Sequence, residues 1–319
     1  MAKIRLILAA LAAVFLLLML RAVGWQAIGR HLLLVGWGWP LVLAPYFLVN
    51  LLGAMSWFTT INPRPPRLRL WHLFFYRLAG EAVNTATPTA SLGGEPFKAL
   101  LIEKHGIPLT AASASVVITK GVYALSLSLY ICLGLALAPF LLALPEYWLL
   151  GLVLAAVGLV TGCILFVRLQ KRGLGRLGLS FLKKIGVFPG FLEKREEAIQ
   201  RFDDRMIAFY QEKQRNFYLA LGLSGLAWFC HGLEVYVIFY LLGRPLGLMS
   251  SWCFDGLAQL ITGLAFMIPA NLGVQDAGSL LLALGFHLGA VLGGTFVVIR
   301  RFREAFYVAI GLVVLAWKK

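Results

Sequence analysis

Asn84-Thr-Ala-Thr-Pro88-Thr-Ala-Ser-Leu-Gly93-Gly94-Glu95-Pro-Phe-Lys98 interrupts a stretch, Leu70 to Gly106, whose flanks are largely apolar. Pro88 cannot continue a helix. Gly93 and Gly94 weaken one further, and Glu95 and Lys98 put both signs of charge beside the break. With Arg77 and Glu81 in the same stretch, Leu70–Gly106 is too long and too polar for one ordinary membrane helix. Broken backbone inside a bilayer has to be satisfied by protein or by water in a cavity. The stretch therefore predicts a re-entrant hairpin of two half-helices facing an internal cavity.

A second stretch has the same shape. Ser251 to Leu288 has an apolar half, a break at Pro269, Asn271 and Gly273, then Asp276 and a second helical half. Pro88 and Pro269 fix an offset of 181 residues. At that offset Glu95 falls on Asp276, Leu100-Leu101 on Leu281-Leu282, Val116-Val117-Ile118 on Val297-Val298-Ile299, and Lys120 on Arg301. Apolar coincidences are cheap in such a sequence, but matched proline, acid and base are not. An internal repeat follows, with halves at about 37–138 and 217–317, inside a single membrane domain over 1–319.

Composition supports a membrane protein. Of 319 residues, 60% are hydrophobic and 13% charged, and mean hydropathy is +0.83. Soluble domains carry about 25% charged residues. An ordinary soluble enzyme, a disordered tail and a secreted disulfide scaffold are excluded. The 29 Lys and Arg outnumber the 14 Asp and Glu, yet the bases sit mostly between apolar runs. They read as cytoplasmic loops beside anionic headgroups, not as a nucleic-acid surface. Cys132, Cys163, Cys230 and Cys253 all lie in apolar segments without a CxxC, so neither a metal site nor a disulfide framework is expected.

Full spans are expected at Met1–Arg21 (an uncleaved first helix), about Trp37–Ile61, Pro108–Ala138, Trp148–Val167, Phe217–Leu242 and Gly289–Trp317. Asn62-Pro-Arg-Pro-Pro-Arg-Leu-Arg69 ends the second of these and marks its cytoplasmic side. The basic loop at about 168–216 carries Ile199, Phe202, Met206 and Phe209 at helical spacing. That predicts an amphipathic helix on the inner membrane surface. Counting from these ends, the first hairpin enters from inside and the second from outside. The fold expected is all-α and polytopic: six transmembrane helices plus two re-entrant hairpins in an inverted repeat, as in secondary transporters. Both termini are expected in the cytoplasm of a bacterial inner membrane.

Charges within spans are costly and mark function. Asn84, Glu95, Lys98, Lys120, Asn271, Asp276, Arg300 and Arg301 are the candidate substrate-binding residues; Pro88, Gly93, Gly94, Pro269 and Gly273 are the candidate hinges. Glu95 and Asp276 suit a cationic group or a proton, and Lys120, Arg300 and Arg301 suit phosphate. Structural ion pairs, Glu95–Lys98 and Arg300–Glu304, are the competing role. His231 and Glu234, three apart on one helical face, suit a proton relay, a metal pair or simply a helix–helix hydrogen bond. Asp255 reads as the start of the second hairpin. GxxxxGKS/T, HExxH and GxSxG are absent, so no ATP motor and no familiar hydrolase is expected, and no cofactor.

The two blocks, Asn84–Pro88 through Gly93-Gly94-Glu95-Pro-Phe-Lys98 to Gly106, and Pro269-Ala-Asn271-Leu-Gly273-Val-Gln-Asp276 followed by Gly285 and Arg300-Arg301, resemble the lysylphosphatidylglycerol synthase transmembrane, or flippase-like, family. The resemblance covers nearly the whole chain. The family's second motif usually ends in Glu where Asp276 stands, and its first usually has Arg where Lys98 stands. The resemblance implies movement of an aminoacylated phospholipid from inner to outer leaflet. In the best-known members this region is fused to a soluble aminoacyl-transferase domain; the present chain resembles the translocating half. Standalone members occur beside genes for hopanoids, glycolipids and polyprenyl-linked sugars, so the resemblance leaves the cargo open.

Together these features predict a non-enzymatic lipid translocator whose partners are membrane lipids, with a lipid-modifying synthase or a second copy as further partners. Two rivals stand beside it. An intramembrane enzyme of lipid, hopanoid or glycolipid assembly would use Glu81, Glu95, His231 and Asp276 as acid/base groups. An accessory subunit would present small-residue faces such as Gly222 to Gly225.

Overall fold

The computed structural model describes residues 25–62, 64–86, 93–142, 147–184, 196–264 and 273–317. Among the described residues there are helices and no strands. In chain order they are α1 (Trp25–Val35), a single 3₁₀ turn (Gly36–Gly38), α2 (Trp39–Thr60), α3 (Leu70–Ala86), α4 (Gly94–Glu103), α5 (Leu109–Leu141) and α6 (Tyr147–Arg172). Then come α7 (Leu174–Lys184), α8 (Glu196–Glu212), α9 (Gln214–Leu241), α10 (Leu248–Leu264), α11 (Val274–Gly285) and α12 (Ala290–Trp317). The first expected span, Met1–Arg21, and the breaks holding Pro88, Pro269 and Asn271 lie outside the described residues.

Gly29–Thr60, Leu109–Leu141, Leu150–Arg172 and Gln214–Leu241 are long and apolar enough to cross a bilayer. α12 matches them in length at 28 residues. It carries Arg300, Arg301, Arg303 and Glu304 in its interior, so its polar side must face protein. α6 turns Leu150, Val153, Leu154 and Val157 outward, each more than half exposed. Such a face is stable only against lipid or another apolar surface.

Two antiparallel helical hairpins occupy the stretches read as broken. In the first, the Tyr76 hydroxyl meets His105 Nε2 at 2.9 Å near the base. Near the tip the Gly94 N–H donates to Asn84 Oδ1 at 2.7 Å. Gly94 also abuts the Gly80 backbone, where any side chain would collide. In the second, the Phe254 and Phe286 rings pack at a tilt, 5.7 Å apart, at the base, and Gly278 lies on Ile261 nearer the tip. The arms are short: α4 has 10 residues and α11 has 12. At 1.5 Å per residue they rise roughly 15–18 Å, about half a bilayer core.

The 181-residue offset recurs in the backbone. α5 begins at Leu109 and α12 at Ala290. The loop before each holds a left-handed residue at the matching position, Gly106 (φ 88°) and His287 (φ 56°). His287 is unusual in this region, where a Cβ is normally unfavourable. α2 and its counterpart α9 run antiparallel: Asn216 Nδ2 donates to the Thr59 carbonyl at 2.9 Å, the Ser56 and Ser224 hydroxyls meet at 2.9 Å, and the Tyr46 and His231 rings lie 6.0 Å apart. The halves also interlock. α3 packs on α12 where Gly311 sits against the Leu78 carbonyl. α10 packs on α5 where Gly134 and Gly256 face each other, a Cβ on either coming within 3.1 Å of the other's backbone.

The loop after α6 departs from expectation in one respect. α8 is amphipathic, but Met206 and Phe209 are buried with Ile118, Val122 and Tyr210 against the end of α5. Its apolar face covers protein, not membrane. The reason is a capping contact: fully buried Asp203 accepts the Gly175 N–H at 2.8 Å and the Arg176 N–H at 2.7 Å, holding α7 to α8. The Tyr210 hydroxyl donates to Gln170 Oε1 and fastens α8 to α6.

Candidate functional site

A cavity of about 80 Å3 opens where the first hairpin meets α2 and α5. Helical periodicity builds it. Arg77, Glu81 and Asn84 stand at i, i+4 and i+7 on α3; Val116, Thr119, Lys120 and Tyr123 share one face of α5; Glu95 and Lys98 come from the first turns of α4; Trp57 closes one side from α2. Two glycines make the room. A side chain at Gly53 would collide with the Arg77 guanidinium, and one at Gly80 would meet the Lys98 stem.

Glu95 lies 2.5 Å from Lys98 Nζ and 3.4 Å from Lys120 Nζ. Neither of its oxygens is aligned for a hydrogen bond, so the contacts are ionic and directionally loose. Glu81 accepts the Tyr46 O–H at 2.6 Å. Arg77 spans toward the Tyr123 ring, 5.9 Å away, with Nε unbonded. Three bases face two acids, which leaves a formal excess of one positive charge. The cavity suits an anionic group such as a phosphate, with the carboxylates positioned for a cationic one beside it.

The remaining expected site residues lie elsewhere. Asp276 is almost fully buried and accepts from Arg301 Nε and Nη2 at 2.9 and 3.0 Å and from the Gly273 N–H at 3.0 Å. Arg301 also donates to Glu304 at 2.7 Å. Arg300 instead reaches Asp255 at 3.2 Å. Thus Asn84, Glu95, Lys98 and Lys120 gather in one cavity, while Asp276, Arg301 and Arg300 belong to ion pairs outside it. Gly93, Gly94 and Gly273 stand at the starts of α4 and α11.

Several pairings are corrected. The expected Arg300–Glu304 pair is not made, because Arg300 projects toward α10 while Arg301 takes Glu304. His231 and Glu234 instead fill the third of the roles expected for them, a helix–helix hydrogen bond, each with its own partner. His231 Nδ1 lies 3.0 and 3.1 Å from the two Asp255 oxygens, and Glu234 takes a two-pronged grip from Arg303 at 2.8 and 2.9 Å. Asp255 is not a helix start: it lies inside α10, fully buried. Sequence reasoning assigned no cavity role to Trp57, Arg77, Thr119 or Tyr123. The i, i+4, i+7 spacing of Arg77, Glu81 and Asn84 was the available signal. Among the described residues no group of three His, Cys, Asp or Glu side chains could hold a metal ion.

A helical bundle with apolar, outward-facing spans and buried charge at its centre defines an integral, multi-pass membrane protein. Residues 4–311 match the lysylphosphatidylglycerol synthase TM region family, and the chain belongs to it. A UPF0104 membrane protein of Methanothermobacter thermautotrophicus is 26% identical over 245 residues, covering 72% of this chain and 70% of that one. No solved structure matches it.

Proposed function

We propose that the protein moves a lipid between leaflets of the cytoplasmic (inner) membrane, with both termini inside. The headgroup enters the cavity between α3, α4 and α5 while the acyl tails stay in the bilayer. One observation carries this reading: five charged side chains converge on a single small cavity beside membrane-length helices, and two glycines keep it open. Glu95, Lys98, Lys120 and Arg77 contact the headgroup, and Asn84 holds the tip of the hairpin against it.

The two hairpins enter from opposite faces as an inverted repeat, and access alternates by movement of one half against the other. The shared offset of α5 and α12 and the antiparallel pairing of α2 with α9 support that layout. Arg64, Arg67 and Arg69 at one end, with Lys171, Arg172, Lys213 and Arg215 in the loop, support a cytoplasmic placement for that end. No covalent chemistry is required of the protein.

The test is leaflet exchange of labelled lipids in proteoliposomes holding this protein alone. The panel is phosphatidylglycerol, aminoacylated phosphatidylglycerol, a polyprenyl phosphate and a neutral lipid. Selective exchange that is lost in Glu95→Gln is expected. Absence of exchange for every lipid by folded protein, with or without a proton gradient, overturns the reading.

A further inference from the structure

Away from the cargo cavity, His231 sits in a buried cluster that the transfer step does not use. Its Nδ1 contacts both Asp255 oxygens, at 3.0 and 3.1 Å. A carboxylate only accepts, so Nδ1 carries the hydrogen and Nε2 is the basic nitrogen. Four other helices face this imidazole. α10 supplies Asp255 and Gln259, the latter 3.3 Å from Asp255 Oδ1. α12 supplies Arg300, which reaches the same oxygen at 3.2 Å. From α2, Tyr46 approaches edge-on at 6.0 Å. From α5, the Tyr130 hydroxyl occupies the gap left by Gly232. On its own helix, Glu234 is already taken by Arg303.

Charge counting shows what a proton would do. With neutral imidazole, Asp255 balances Arg300 and the cluster is electroneutral. With imidazolium, two cations compete for one buried carboxylate. Arg300 is the weaker holder: it makes one contact, and its Nε and Nη1 have no hydrogen-bond partner. Arg303, three residues on, makes two shorter ones to Glu234. The location gives the competition a mechanical output. Arg300 and Arg301 are consecutive on α12; the first holds α10 through Asp255 and the second holds α11 through Asp276. Weakening the first contact frees one arm of the second hairpin from α12 while the other stays fixed.

We propose that His231, paired with Asp255, is a proton-binding site that couples movement of the second hairpin to proton uptake, and so couples lipid transfer, on the reading given above, to a proton gradient. The imidazole Nε2 gains a proton from one face and releases it to the other; no bond other than N–H is made or broken.

Two measurements test it on the full-length protein. Ring-labelled histidine NMR in lipid nanodiscs reads the site directly. A resonance that titrates between pH 4 and 9 and is missing from His231→Gln is expected; an imidazole with one protonation state across that range overturns the proposal. In phosphatidylcholine vesicles containing labelled phosphatidylglycerol, one coupled proton per lipid shifts the steady-state leaflet ratio by up to about tenfold per pH unit of gradient. That shift is expected in the wild type and is expected to vanish in His231→Gln and Asp255→Asn. A wild-type leaflet ratio that ignores the gradient, or a His231→Gln protein that still follows it, overturns the coupling. Absence of any exchange both with and without a gradient instead counts against lipid transfer itself, and the NMR titration then decides the proton site alone.

Discussion

Arg301 grips Asp276 through two hydrogen bonds, 2.9 and 3.0 Å long. The repeat-related pair, Lys120 and Glu95, makes one contact at 3.4 Å beside an open cavity. Equivalent positions thus hold a tight, direction-specific pair in one half and a loose one in the other. A guanidinium fixes a carboxylate in a plane, whereas an ammonium is a point charge that tolerates reorientation. The difference separates a fixed clamp from a pairing free to reorient.

Arg77→Gln removes the cavity's positive excess. Its effect falls on lipid choice more than on folding, because among the described residues Arg77 makes no ion pair within 4.0 Å that would be broken. The ratio of phosphatidylglycerol to phosphatidylcholine exchange is expected to drop by roughly tenfold, the equivalent of one charge-assisted hydrogen bond. An unchanged ratio would show that Arg77 does not read the headgroup.

Gly53→Ala and Gly94→Ala separate function from packing. At Gly53 the new methyl meets the end of the flexible Arg77 side chain, which can move aside. Thermal stability in detergent should hold while lipid exchange falls. At Gly94 the methyl meets the Gly80 backbone, which cannot. Overpacking there is expected to cost about 1–3 kcal/mol, read as a lowered Tm. The reverse order of stabilities would refute the close approach of α3 and α4.

Asp276→Asn takes from half-buried Arg301 the carboxylate that it holds through two hydrogen bonds, while Asp276 itself is the buried member of the pair. Loss of one partner from a buried pair costs about 3–5 kcal/mol, and removing both recovers part of it. Thermal unfolding of Asp276→Asn, Arg301→Gln and the double variant should therefore be non-additive. Additive losses would mean that the pair contributes nothing as a pair.

Asp203→Ala removes the acceptor for two α7 backbone N–H groups. Hydrogen exchange should quicken in α7 and the start of α8 and stay unchanged in α5 and α9, with a cost of about 1–2 kcal/mol. Uniform quickening across the bundle would show that α7 and α8 are not a separate stabilising unit.

The helical hairpins and their 181-residue relationship could be read from sequence because both rest on local signals: proline, glycine and charge at fixed spacing. The partners of the charges could not. Successive residues on a helix point about 100° apart, so neighbours in sequence diverge in space. Arg300, Arg301 and Arg303 look like one basic cluster, yet they bind Asp255, Asp276 and Glu234 on three different helices. Asp255 looked like a helix start because nothing nearby in sequence announces the histidine on α9 that meets it. The cavity was half legible. Glu95, Lys98, Lys120 and Asn84 stood out as charge and amide near a break, whereas Trp57 and Tyr123 were indistinguishable from ordinary apolar filling until four helices were placed together.

The three arginines of α12 also make that helix a shared axle. Because each grips a different neighbour, α12 cannot turn or slide without loading α9, α10 and α11 at once. Two of the three grips are two-pronged and resist shear; the third, at Asp255, is a single contact. Any force transmitted through the second half therefore yields first at α10. In the first half the repeat-related Lys120 meets Glu95 across 3.4 Å, a point-charge contact that leaves more play than a two-pronged grip.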